Sequence, residues 1–136
     1  MKYHHTCAGA VALTAMLSSP LAARDIAQGQ ELYAAYCATC HGADATGTGP
    51  MAELIAIETP DLTGLAARNE GVFPTLMVAS QIDGRDLVLA HGGQMPLFGR
   101  FFEGDAAVAV PTPSGQPMMT SQPIADLLAW LESVQS

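Results

Sequence analysis

Residues 37–41 read Cys37-Ala38-Thr39-Cys40-His41, and no other stretch restricts what this chain can fold into as severely. Two thiols with two residues between them lie on one side of a single helical turn, and an imidazole follows at once. C-x-x-C-H is the attachment signature of a c-type haem. The thiols reach the two vinyl groups on one porphyrin edge, and the histidine is held under the iron as a proximal ligand, a role imidazole nitrogen suits. Two other chemistries share part of the pattern. A redox dithiol of the thioredoxin kind wants a βαβ context, and no strand-rich pattern surrounds these residues. A structural zinc site wants four ligands, and beyond the motif the chain past residue 23 adds one histidine, His91. By count alone zinc stays open.

The cysteines must be read against the compartment. Residues 1–23 carry Lys2 near the start, an apolar run of 12 residues from Cys7 to Ser18, a break at Pro20 and the small residues Ala22 and Ala23. That is the layout of a secretory signal peptide cleaved after Ala23. The run is short of the about 20 residues that span a bilayer, so no membrane span is expected after cleavage. The remaining 24–136 domain, 136 less 23 or 113 residues, is enough for one modest core. It keeps all 13 acids, four arginines and no lysine, a net charge of −9. With no basic patch to displace counterions, nucleic acid is not an expected partner. Apolar residues at 49% against 13% charged exclude an ordinary disordered tail.

Around the motif the pattern extends in both directions. Gly29 lies eight residues before Cys37, and the aromatic Tyr33 follows Gly29 by four, in GQELYAAYCATCH. Asp25 is a fitting N-cap for a helix there. At the other end Ile124, Leu127, Leu128, Leu131 and Val134 repeat at amphipathic-helix spacing, with Trp130 on the apolar side, Pro123 in the first turn and Ser121 or Gln122 at the cap. Between them GADATGTGP, residues 42–50, is a glycine-rich loop, Phe73–Ile82 a short helix entered at Pro74, and Pro60–Asn69 another short helix. Ile82–Gly84 reads as a turn. Taken together these residues resemble the class I c-type cytochromes, the small bacterial monohaem kind. The resemblance covers most of residues 24–136. It implies an all-α cytochrome c fold, with N- and C-terminal helices packed together through Gly29 and the aromatics, and short helices and loops around one covalent haem c. It also implies that a proline carbonyl in the loop after His41 accepts the ring N–H of the proximal histidine, and Pro50 is the matching candidate. Arg85 stands ready for a haem propionate, or equally as a solvated charge.

The second axial ligand sets much of the potential, and methionine is the family's default. Past residue 23 there are five methionines. Met51 shares the proximal loop and is too close in sequence to reach the opposite face; Met77, inside the short helix, reads as core filling. Met95 sits in GGQMPLFG, 54 residues past His41 and ahead of the last helix, with Pro96 to stiffen its loop. That resembles the distal-ligand loop of bacterial class I cytochromes, and Met95 is the expected sixth ligand. Met118, Met119 and His91 are the alternatives, or an open site that binds a small ligand. Glu103–Gln122, with three prolines and two glycines, reads as an inserted surface loop.

The expected function is that of an exported, periplasmic one-electron carrier, not an enzyme in itself. Mitochondrial-type relatives dock through lysines that this chain lacks, so its redox partners should present a basic or a neutral apolar face. Two alternatives remain at this point. One is a haem subunit held permanently by an exported dehydrogenase or oxidoreductase, with the inserted loop at its interface. The other is a ligand-binding cytochrome with no methionine bond.

Overall fold

Asp25 starts the ordered chain as the sequence suggests: its carboxylate accepts the N–H groups of Ala27 at 2.9 Å and Gln28 at 3.1 Å, satisfying two donors with no partner inside the helix. The helix that follows, α1, runs Ile26–Tyr36 through alanine, glutamine and glutamate, a composition with few conformational penalties. At Cys37 the backbone leaves ideal geometry, and a second short helix, α2 (Ala38–His41), continues from it. The computed structural model describes residues 24–56, 58–84, 95–104 and 107–136. The expected signal peptide, Arg85 and His91 lie outside the described residues.

Chain order continues with 3₁₀ turns at Ala52–Leu54 and Ala67–Asn69, then α3 (Thr75–Asp83), β1 (Ala107–Val110), β2 (Met118–Ser121) and α4 (Gln122–Ser133). Among the described residues none of the helices is long and apolar enough to cross a membrane. α3 enters at Pro74 and buries Thr75, Val78, Ala79 and Ile82. That places Met77 on the outer face, 59% exposed, which corrects its reading as core filling: the i, i+3, i+4, i+7 stripe simply does not include it. Gly84 closes the helix in the left-handed region, with φ of +78°. The chain from Ile82 to Asp83 is therefore the last turn of a helix, and only Gly84 turns. The expected helix over Pro60–Asn69 is likewise reduced to its last turn, because Asp61 accepts the Thr63 N–H and hydroxyl at 2.8 and 2.7 Å and holds the backbone in a turn.

α4 is the centre of the core. All eight residues Ile124–Leu131 are buried, so it is covered on every side and not only along one apolar stripe. α1 crosses it on one side, α3 lies on another, and the two strands cover a third. At the α1–α4 crossing a Cβ on Gly29 would collide with the Asp126 carbonyl oxygen and stand 2.9 Å from Trp130 Cβ. Four residues on, Tyr33 stacks against Trp130 with ring centroids 4.1 Å apart. Asp126 is buried here too; one carboxylate oxygen accepts the Asp25 N–H at 2.8 Å and the Gln122 side-chain amide at 2.7 Å. The aspartate thus links the start of α1 to the first turn of α4.

The strands correct the all-α expectation and the inserted-loop reading of Glu103–Gln122. β1 and β2 pair antiparallel, with Val108 opposite Thr120 and Val110 opposite Met118. Val108, Val110 and Thr120 turn inward and are buried. The connection Pro111–Pro117 is closed by a Gly115 N–H to Thr112 carbonyl bond of 2.9 Å and by the Thr112 hydroxyl on the Gln116 carbonyl at 2.6 Å. Prolines in that connection conceal a four-residue β-branched run whose alternation is only evident once it is paired.

Replacing Gly29 by Ala forces α1 away from α4. A loss on the order of 3 kcal/mol is expected, whereas Gly104→Ala, where a Cβ meets nothing within 4 Å, stays within about 0.5 kcal/mol of wild type. Denaturant unfolding of the two variants side by side checks the contrast.

Candidate haem site

α1 delivers the motif. The Cys37 N–H still bonds the Tyr33 carbonyl at 2.9 Å, and the His41 N–H bonds the Cys37 carbonyl at 2.9 Å. Cys37, Cys40 and His41 therefore occupy one short turn whose position is fixed by the α1–α4 crossing. Both cysteines are free thiols, each partly exposed. Burial, and after it the neighbouring Cys40, pushes the Cys37 thiol up to about 11. A redox dithiol of the thioredoxin type needs the opposite shift, toward an accessible thiolate. Nor do any three His, Cys, Asp or Glu side chains converge on a metal-sized centre among the described residues.

His41 is buried. Its Nδ1 faces the carbonyl oxygen of Pro60 at 3.4 Å. Burial pushes the ring below its ordinary pKa, against a smaller opposing effect of the Pro60 carbonyl. A neutral ring whose Nδ1–H is aimed at a carbonyl leaves Nε2 as its one lone-pair donor, the arrangement that orients a histidine ligand.

The carbonyl comes from Pro60, not from Pro50, which is exposed on the loop. The path of the loop explains the difference. It folds back over α2, with the Gly47 N–H on the His41 carbonyl at 2.8 Å and the Met51 N–H on the Thr39 carbonyl at 2.9 Å. Gly47, at φ of +84°, lies directly against the Thr59 carbonyl and within 3.2 Å of the Pro60 carbonyl, measured from where a Cβ would stand. Only glycine allows both that conformation and that approach. The segment beyond is fastened to the C-terminus: Gln135 accepts from the Ala66 N–H at 2.8 Å and donates to the Leu62 carbonyl at 2.9 Å, and the Ser136 N–H reaches the Thr63 carbonyl at 3.0 Å. On the other side Tyr33 donates its hydroxyl to the Gly42 carbonyl at 2.7 Å, and burial raises that phenol far above its ordinary pKa.

The methionines separate by position. Met95 is half-buried and packs against the core cluster, as do Phe98 and Met118. Met119, on the opposite face of β2 from Thr120, is 50% exposed, and Met51 is 39% exposed on the proximal loop. Four aromatic residues not singled out in the sequence also gather beside the motif. Tyr36, directly before Cys37, meets Phe101 and Phe102 with ring centroids 4.9 and 5.5 Å away, and Phe98 stacks on Phe102 at 5.5 Å. The i, i+3, i+4 spacing of Phe98, Phe101 and Phe102 was the available signal.

Two adjacent thiols and a buried, carbonyl-oriented imidazole on one turn form a donor set that fits a covalently held haem. The class is a helical haem-attachment domain. The family model described as cytochrome c matches residues 26–135, and the chain belongs to that family. Comparison with the curated proteins and with the solved structures returned no match. The cofactor is a covalently attached haem c, and the protein is an electron-transfer haem protein of this family.

Tyr33→Phe leaves the buried Gly42 carbonyl without its donor. A loss of about 1–3 kcal/mol is expected, read by denaturant unfolding, with the cysteines still able to take up haem.

Proposed function

We propose that the chain is an exported one-electron carrier whose haem is attached through Cys37 and Cys40 and whose iron is ligated by His41 and Met95. The observation that carries this reading is His41, buried, neutral and turned by Pro60 so that Nε2 is its free donor. When bound, the haem supplies one-electron exchange between ferric and ferrous iron. Cys37 and Cys40 hold one porphyrin edge, so the cofactor is retained in both oxidation states. Pro60 keeps the imidazole from rotating and increases its basicity through the Nδ1–H bond. Met95, half-buried against the core, offers a soft thioether on the other face, which raises the potential. The surrounding apolar core excludes water, and a frame already held by hydrogen bonds needs little rearrangement per electron, in the same sense as preorganised dipoles in catalysis.

Residues 1–23 act as the export signal in this reading, and the product works in the periplasm. A chain of 13 acids and no lysine past residue 23 selects partners with a basic or a neutral apolar docking face.

Spectra of the loaded protein test the ligands. A weak ferric sulfur-to-iron band at the red edge of the visible spectrum is expected in wild type and in Met118→Ala, and its complete loss in Met95→Ala. Carbon monoxide binding by reduced wild type, with no such band when oxidised, would mean an open sixth site and end the simple carrier reading.

Ionic strength tests the partners. The rate of electron exchange with a basic partner should fall as salt rises past about 0.1 M, where the screening length is about 10 Å. A rate with an acidic oxidase that falls in the same way would contradict the charge argument.

A further inference from the structure

We propose that Tyr36, Phe98, Phe101 and Phe102 are positioning residues: together they bracket the Met95 segment to the haem-attachment turn and so hold the sixth ligand in place. The inference rests on the reading of Met95 as that ligand, and it concerns how the distal side is held.

Phe98 follows Met95 by three residues, so wherever Phe98 is fixed, the Met95 Cα lies within about 10 Å of it. Phe98 is fixed from two directions. Its N–H bonds the Ile82 carbonyl in the last turn of α3 at 2.8 Å, and the next residue, Gly99, lies against the Asp83 carbonyl. Its own carbonyl accepts the Phe102 N–H at 2.8 Å, which winds residues 98–102 into a single turn and brings three phenylalanine rings together. Phe98 stacks on Phe102 at 5.5 Å with an interplanar angle of 24°, and Phe101 meets Phe102 edge-on at 5.3 Å.

Tyr36 connects that turn to the proximal side. It contacts Phe101 and Phe102 edge-on, at 65° and 81°, and it is bonded directly to Cys37. A thioether at Cys37 therefore fixes the porphyrin edge one residue from a ring that grips the distal segment. Fixing both ends of the Met95 segment's frame raises the effective concentration of its thioether at the iron, as any short tether does for an intramolecular partner.

Ordinary core packing does not account for all four rings. Only Phe102, 4% exposed, lies in the core; Tyr36 and Phe101 are 41% and 61% exposed. Their mutual contact buries little, yet it bridges two segments more than 60 residues apart in the chain. Edge-to-face contact is the geometry in which aromatic pairs attract beyond their buried area. Losing one such pair corresponds to a roughly 2- to 12-fold shift in an equilibrium.

The test uses the full-length, haem-loaded protein and imidazole as an exogenous ligand that competes with methionine for ferric iron. Its apparent affinity scales with the fraction of molecules whose sixth position is open. Tyr36→Leu and Phe101→Leu, both at exposed positions, should each bind imidazole about 2- to 12-fold more tightly than wild type and show a weaker sulfur-to-iron band. Tyr36→Phe, which keeps the ring, should restore both readouts. Wild-type imidazole affinity and band intensity in both leucine variants would overturn the bracket while leaving Met95 as the ligand. A wild-type protein with no such band would overturn the ligand reading and the bracket together.

Discussion

The contact between α1 and α4 at Gly29 governs everything downstream of it. Helix axes come this close only where one side chain is absent, and the missing Cβ lets the α1 backbone rest on the Asp126 carbonyl and Trp130. Tyr33 uses that proximity twice, stacking on Trp130 and donating to the Gly42 carbonyl. Because α2 follows α1 directly, the same contact sets where Cys37, Cys40 and His41 stand. The attachment turn has no need of its own contacts with α4. It takes its position from a helix that is already held along its length.

The proximal loop solves a different problem. A buried imidazole has two nitrogens, and a ligand role requires one of them to be committed elsewhere. The loop from Gly42 to Pro60 achieves this by folding back on α2, and the bonds of Gln135 and Ser136 anchor the chain just beyond Pro60 to the C-terminal end of α4. The Pro60 carbonyl is thus held from both sides. At 3.4 Å its contact with Nδ1 is longer than the 2.7–3.2 Å of a well-formed bond. A longer bond orients the ring while donating less to it, so Pro60 acts here more on direction than on basicity.

What could be read from the sequence follows from how far each feature reaches along the chain. Asp25, the Gly29–Tyr33 spacing, the C-x-x-C-H turn and the last helix are local patterns, decided within one or two helical turns, and all of them stand in the structure. Pro60 was hidden because two prolines follow His41, and only the closure of the loop chooses between them. Met77 was misplaced because a methionine within an apolar run gives no facing until the neighbouring stripe is known. The strands escaped because a run of four residues between prolines and glycines has no visible period before it pairs. Trp130 was legible as a partner for Tyr33; Asp126 was not, since nothing in a single sequence marks an acid as buried.

The two faces of the site are therefore held by different kinds of force. On the proximal side the donors share one turn and their order is written into consecutive residues, so they survive any rearrangement that leaves α1 intact. On the distal side Met95 is held by contacts across long sequence separations: the Ile82 carbonyl on Phe98, and the rings of Phe98, Phe101 and Phe102 on Tyr36. Contacts of that kind form late and open first, because each must offset the ordering of the chain between them. A cytochrome built this way keeps its haem and its histidine under conditions that loosen the methionine, so the sixth position is the one the fold leaves adjustable.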